Sequence, residues 1–205
     1  MTSEIQMETN QQSAKISTTE KKIVILVVVA VTAAVFASAF SITMLSSNHN
    51  ASQGTSPAIN SWIVKGAYAT YEGQTNVLGI SISFNAKMEI VDLNATQVEV
   101  QTAFNMSSPF GNQDNTTTTW VNRSNMTYQP EGLALNSTYQ TQVTIPSLGS
   151  ISCTAYVYNS QGISATYYVG NQIQWPVEMT MTSPMNGGQT YSIDIKLVNT
   201  NIKGL

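Results

Sequence analysis

Cysteine, histidine and charge are all scarce in this chain. Its one cysteine, Cys153, excludes an intramolecular disulfide and lies too deep in the chain to carry a lipid anchor. Its one histidine, His49, precedes the expected folded domain, which removes His-based triads and His-rich metal sites. Charged residues make up 9%, where about 25% is usual for soluble proteins. The net charge is −3, and past the N-terminal segment the cations are Lys65, Lys87, Arg123, Lys196 and Lys203, scattered along the chain. No basic patch forms, so nucleic acid is not an expected partner.

Catalytic patterns are missing too. The sequence holds no Asp-rich calcium loop, no phosphate-binding glycine loop and no CxxC. A glycosidase needs two facing carboxyls about 5–10 Å apart. The carboxylates Glu72, Glu89, Asp92, Glu99, Asp114, Glu131, Glu178 and Asp194 fall mostly at polar-face or turn positions and read as solvated charges. The expectation is a non-enzyme, with no catalytic residue, no cofactor and no metal ligand assigned. Cys153 sits in phase with Ile151, Ala155 and Val157, which makes it a small buried hydrophobe.

What is present begins with one long apolar run. Residues 23–45, IVILVVVAVTAAVFASAFSITML, carry no charge. A helix of that length spans a ~30 Å hydrocarbon core. Lys15, Lys21 and Lys22 precede it and no Lys or Arg follows until Lys65, so the positive-inside rule puts the N-terminus in the cytoplasm and the rest outside. The expected plan is a disordered cytoplasmic tail (1–22), a signal-anchor transmembrane helix (23–45), a flexible linker (46–60) and an extracytoplasmic domain (61–205). Two alternatives stand beside it. Ala37-Ser38-Ala39 resembles a signal-peptidase site, although the run continues through Met44 and Leu45. Pilin-type cleavage after Lys22 would free the apolar segment for filament assembly. Ala30, Ala34 and Ser38 form a small-residue face suited to helix pairing between copies.

The domain after residue 60 alternates with period 2. In 77–90, Leu78, Ile80, Ile82, Phe84, Ala86, Met88 and Ile90 share one face against Gly79, Ser81, Ser83, Asn85, Lys87 and Glu89. Residues 97–106 alternate likewise. Further runs fall near 62–72, 116–121, 138–145, 151–158, 163–169, 173–182 and 190–199. Turn chemistry separates them at Glu72-Gly73, Asp92-Leu93-Asn94, Asn159–Gly162, Gly170-Asn171 and Ser183–Gly188. With no amphipathic helix to cover it, a one-faced sheet must cover itself. The expected fold is all-β: an antiparallel meander of about nine strands, as a curled half-barrel or a sandwich, with a bulge at Gly79.

The long strands, the TYYVG segment (166–170) and the closing IKLVNTN (195–201) resemble extracytoplasmic lipoprotein-carrier-like meanders over residues 61–201. The resemblance implies a curved sheet and an apolar ligand. N-x-[ST] sequons stand at Asn50, Asn94, Asn105, Asn115, Asn122, Asn125 and Asn136. Six of the seven asparagines between 94 and 136 begin one, whereas none of the five after 137 does. Such clustering reads as glycosylation of an exposed surface. Many sequons without disulfides resemble an archaeal-type surface glycoprotein.

The expected function is a membrane-anchored cell-surface protein whose β domain binds or assembles in the envelope. The alternatives are an apolar-ligand carrier or a filament subunit. Sequons were expected in turns flanking a short TTTTWV strand, and the sequon-free part after 137 was the expected partner surface.

Overall fold

The computed structural model describes residues 62–77, 80–109, 111–123, 134–160, 162–184 and 190–205. The tail 1–22, the helix 23–45 with Ala30, Ala34 and Ser38, the linker 46–60, His49, and the sequons Asn50 and Asn125 lie outside the described residues.

Nine strands form one sheet: β1 Tyr68–Val77, β2 Ile80–Leu93, β3 Gln97–Ser108, β4 Gly111–Asn122, β5 Leu135–Ile145, β6 Gly149–Ser160, β7 Ile163–Gly170, β8 Pro176–Pro184 and β9 Thr190–Thr200. Their order is β4-β3-β2-β1-β9-β8-β7-β6-β5, antiparallel throughout. Two meanders are joined where the first and last strands pair at the centre. The sheet is open, with β4 and β5 as its edges. The described strands make one sheet, which removes the sandwich.

The alternation in the sequence becomes the two faces of this sheet. Ile82, Phe84, Ala86, Met88 and Ile90 of β2 are all buried while their odd-numbered neighbours from 81 to 87 are exposed. Register carries the same face across Ala69, Tyr71, Ile193, Ile195, Leu197, Met179, Ala165 and Tyr167. Each large side chain so buried contributes about 1.5–3 kcal/mol. Rings fill the wide parts: Phe84 stacks on Phe104 at 6.0 Å, and Tyr158 meets Tyr167 edge-on at 5.6 Å.

A smaller apolar cluster lies on the opposite face. Cys153 pairs with Gly170 and Val143 with Ile151, three residues out of phase with Tyr167 and Tyr156. The β5–β6 hairpin runs on past the end of β7 and folds back, for Ser147 Oγ donates to the carbonyl of Val198 on β9. Four strand spacings of ~4.8 Å separate β5 from β9 in a flat sheet, so that bond requires strong curling. The fold-back buries Val143, Ile145, Ile151 and Cys153. A Cβ on Gly170 would press on the Leu205 side chain at 3.0 Å, so the C-terminal end packs there too.

Three expectations change. The run 77–90 is not one strand: β1 ends at Val77, which pairs with Ile80 at the start of β2, and the bulge expected at Gly79 falls outside the described residues. Glu72-Gly73 is not a turn but mid-β1, where the Phe84 ring occupies the space a Gly73 side chain would need. Asn115 and Asn122 lie within β4 rather than flanking it, because pairing with β3 extends the strand to 111–122.

Candidate binding surface

The polar face carries the site. Following the register from edge to edge gives one unbroken row, with one residue from each strand. Asp114 (β4) pairs with Asn105 (β3), then come Asn85 (β2), Glu72 (β1), Lys196 (β9), Glu178 (β8), Tyr168 (β7), Ala155 (β6) and Tyr139 (β5). Directly opposed side chains lie about 4.5–5.5 Å apart at Cβ and interact. A second row runs beside it through Asp194, Gln74, Ser83 and Ser107.

The row is tied in pairs. Asn105 Nδ2 donates to Asp114 Oδ1. Lys196 Nζ lies 3.5 Å from Glu178 Oε2. The Tyr168 phenol is pushed up to about 12, first by its hydrogen bond with Tyr139 and then by burial and the negative charges of Glu178 and Asp194. Ala155 explains the tyrosine contact: a methyl between the two rings lets them close over it, and it is fully buried.

Between the tied ends lies a groove of about 450 Å³, lined by Glu72, Gln74, Ser83, Asn85, Asn105, Asp194 and Lys196, with Gly73 and Phe84 at its floor. Its donors and acceptors are amides, a hydroxyl, two carboxylates and one ammonium. Among the described residues, no three His, Cys, Asp or Glu side chains are placed to hold a metal ion. The chemistry the groove offers is dense hydrogen bonding to a polar ligand.

Beneath Trp62 and Trp175, which meet edge-on at 4.8 Å, lies a cavity of about 10 Å³ bounded by Met88, Ile90, Val100 and Ile202. Both indole N–H groups are buried without an acceptor. The Tyr71 hydroxyl donates to the Pro176 carbonyl at 2.9 Å, and burial pushes that phenol far above its ordinary range. The Trp175 N–H comes near enough to Tyr71 to oppose this slightly, without reaching hydrogen-bond geometry. Cys153 is fully buried, its thiol pushed up to about 11 by burial.

The structure distributes the sequence-predicted sites unevenly. Asn94 sits in the β2–β3 turn, Asn105 on β3, Asn115 and Asn122 on β4, and Asn136 on β5. Asn105 also forms part of the groove wall. The groove straddles β1, β2, β3 and β9, so the stretch after 137 supplies only Asp194 and Lys196 to it. From the sequence, Asn85 falls on a polar strand face and Glu72 in a Glu-Gly turn, with nothing to bring either to Asp194. The faces were legible, but the register that aligns them was not.

No family model matches the chain, and no curated protein does. Similar solved structures include a lipoprotein candidate from Parabacteroides distasonis, at 10% identity and TM-score 0.38, covering 67% of this chain and 96% of that one. A hypothetical protein from Chlamydia trachomatis is similar at 11% identity and TM-score 0.34, over 72% of this chain and 93% of its own. A candidate outer membrane lipoprotein-sorting protein domain from Vibrio parahaemolyticus follows at 8% and 0.26, over 71% and 88%.

Proposed function

We propose that this is a single-pass surface protein, N-terminus in the cytoplasm, whose β domain is a non-catalytic module that binds a hydroxyl-rich ligand, such as an envelope saccharide, in the polar groove. The observation that carries this reading is the groove itself: about 450 Å³, where seven of the nine lining residues bring amide, hydroxyl or charged groups to a surface that is otherwise mostly hydrocarbon. Side chains of that kind match the alternating donors and acceptors of sugar hydroxyls. Pairing with backbone ladders below them holds Asn85, Glu72 and Lys196 in fixed register, so little ordering is needed on binding.

The carrier alternative meets a volume problem. Small-molecule pockets run to roughly 300–1,000 Å³ with mostly apolar lining. Among the described residues the cavity at Trp62 has about 10 Å³, and the larger groove sets amide and charged groups beside its apolar lining. The filament alternative turns on cleavage near Lys22, among residues the structure does not describe.

Binding of the full chain to immobilised envelope oligosaccharides tests the reading. Asn85→Ala and Glu72→Gln should each weaken binding roughly tenfold or more, the effect of losing one charge-assisted or well-placed hydrogen bond. Equal binding by both variants, or no saccharide bound at all, would remove the groove from the function.

A further inference from the structure

Among the described residues, the β4 edge of the open sheet lacks the usual protections. Sheets commonly blunt an edge with Lys, Pro, a bulge or a short strand, since unpaired N–H and C=O groups recruit other chains. β4 is 12 residues long and carries no Lys, Arg or Pro; its one charge is Asp114. Its register with β3 runs unshifted from Gln97–Asn122 to Ser108–Gly111. Residues 111–120 are exposed on both faces. β5 has no charge, though it is bulged between Leu135 and Ser137. Among the described residues, the exposed large apolar side chains other than Val64 stand on these two strands: Trp120 on β4, Leu135 and Tyr139 on β5.

The sequons occupy the same places. Of those on described residues, Asn115 and Asn122 are on β4, Asn136 opens β5, and Asn105 and Asn94 adjoin β4 through β3 and its turn. On the interior strands Asn76, Asn85, Asn159 and Asn199 begin no sequon, while Asn105 on β3, next to the edge, does; on β4 itself Asn112 begins none. Asn94 shows the acceptor geometry plainly. Its Oδ1 takes hydrogen bonds from the Thr96 and Gln97 amides at 2.9 and 2.8 Å and from the Thr96 hydroxyl at 3.3 Å, which leaves Nδ2 clear at an exposed turn.

We infer that N-linked glycans on Asn115 and Asn122 guard the β4 edge, and that β4 without them pairs antiparallel with β4 of a second copy of this chain. The antiparallel choice continues the order of the sheet and is two-fold symmetric. Centred on Thr118, it sets Thr117, Thr118 and Thr119 against Thr119, Thr118 and Thr117 of the partner copy, and Thr–Thr pairs are favourable across strands. A glycan at Asn115, mid-strand, blocks that approach sterically. The inference rests on the extracytoplasmic placement proposed above.

The test uses the full chain in detergent, made in an N-glycosylating eukaryotic cell, with Thr118→Cys as a cross-linking handle for a short bismaleimide. Cys153 is fully buried and stays silent. Adding Asn115→Gln and Asn122→Gln should raise the cross-linked dimer on the order of tenfold, a bias of about 1.4 kcal/mol. A further Thr116→Pro should abolish it. Association through the membrane helix would leave the Thr118→Cys cross-link unchanged across all variants, and that outcome overturns the inference. So does peptide mapping that finds glycan at Asn94 but none at Asn115 or Asn122. Glycan at no sequon would instead overturn the placement on which the inference rests.

Discussion

At the scale of single residues, two buried groups make testable claims. The Trp62 indole N–H has no acceptor, and an unsatisfied buried donor costs about 1–3 kcal/mol. Trp62→Phe removes that donor while keeping a ring against Trp175, so stability should stay within about 1 kcal/mol of the parent. Trp62→Ala should lose about 3–5 kcal/mol. Denaturant unfolding followed by β-sheet circular dichroism separates the two. A Trp62→Phe loss as large as the alanine loss would mean the donor is satisfied after all. Tyr168 gives a pH prediction. Its folded pKa lies near 12, above the ordinary 10.0, so the unfolded chain releases its proton first. The Tyr168 contribution is therefore intact below pH 10 and is lost as pH climbs from 10 toward 12. Tyr168→Phe should flatten the decline in melting temperature across that window. An unchanged slope would shift the cause to Tyr71 or Tyr158, both also raised by burial.

At the scale of strands, Gly73 shows why local chemistry misled. A glutamate followed by glycine is ordinary turn material, yet both residues sit inside β1. The reason is long-range: the Phe84 ring on β2 lies over the position a Gly73 side chain would take, and the Asp194 backbone oxygen approaches it to 2.6 Å. Gly73→Ala should therefore cost at least ~3 kcal/mol through overpacking. Phe84→Leu in the same chain should recover part of that loss, because the two sites share one space. Full additivity of the two changes in a double-mutant cycle would refute the contact. The same distinction governs what the sequence revealed. The number of strands, their faces, the burial of Cys153 and the turns after β2, β6, β7 and β8 follow from period-2 alternation and local turn residues, whereas β1 lies at 68–77 rather than 62–72 and β4 runs longer than 116–121. The row from Asp114 to Tyr139 depends on eight registers at once. One of them shifts at Thr70–Tyr71 and another between Tyr168 and Val169. Nothing local marks such shifts, so the groove could not be assembled from the strands that form it.

At the scale of the whole molecule, the decisive pairing is between the first strand and the last. β9 bonds to β1 on one side and β8 on the other, so it is the seam between the β1–β4 and β5–β8 meanders. Both groove carboxylates depend on it, since Glu72 is aligned with Lys196 and Asp194 comes from β9 itself. Contacts spanning more than a hundred residues form slowly, because the chain must close a long loop before the pairing repays the lost entropy. The domain therefore completes its core only after the C-terminal strand has left the ribosome, while the hairpin β3–β4 can form earlier. A chain ending at residue 184 should show this directly. It keeps both meanders but exposes Tyr71, Met179 and their buried neighbours along two raw edges. It should be cut within the β domain by a protease concentration that leaves the full chain intact, and it should lose saccharide binding entirely. Resistance of the shortened chain equal to that of the full one would mean that the two meanders stand without their seam, and that the groove is held by something other than the β1–β9 ladder.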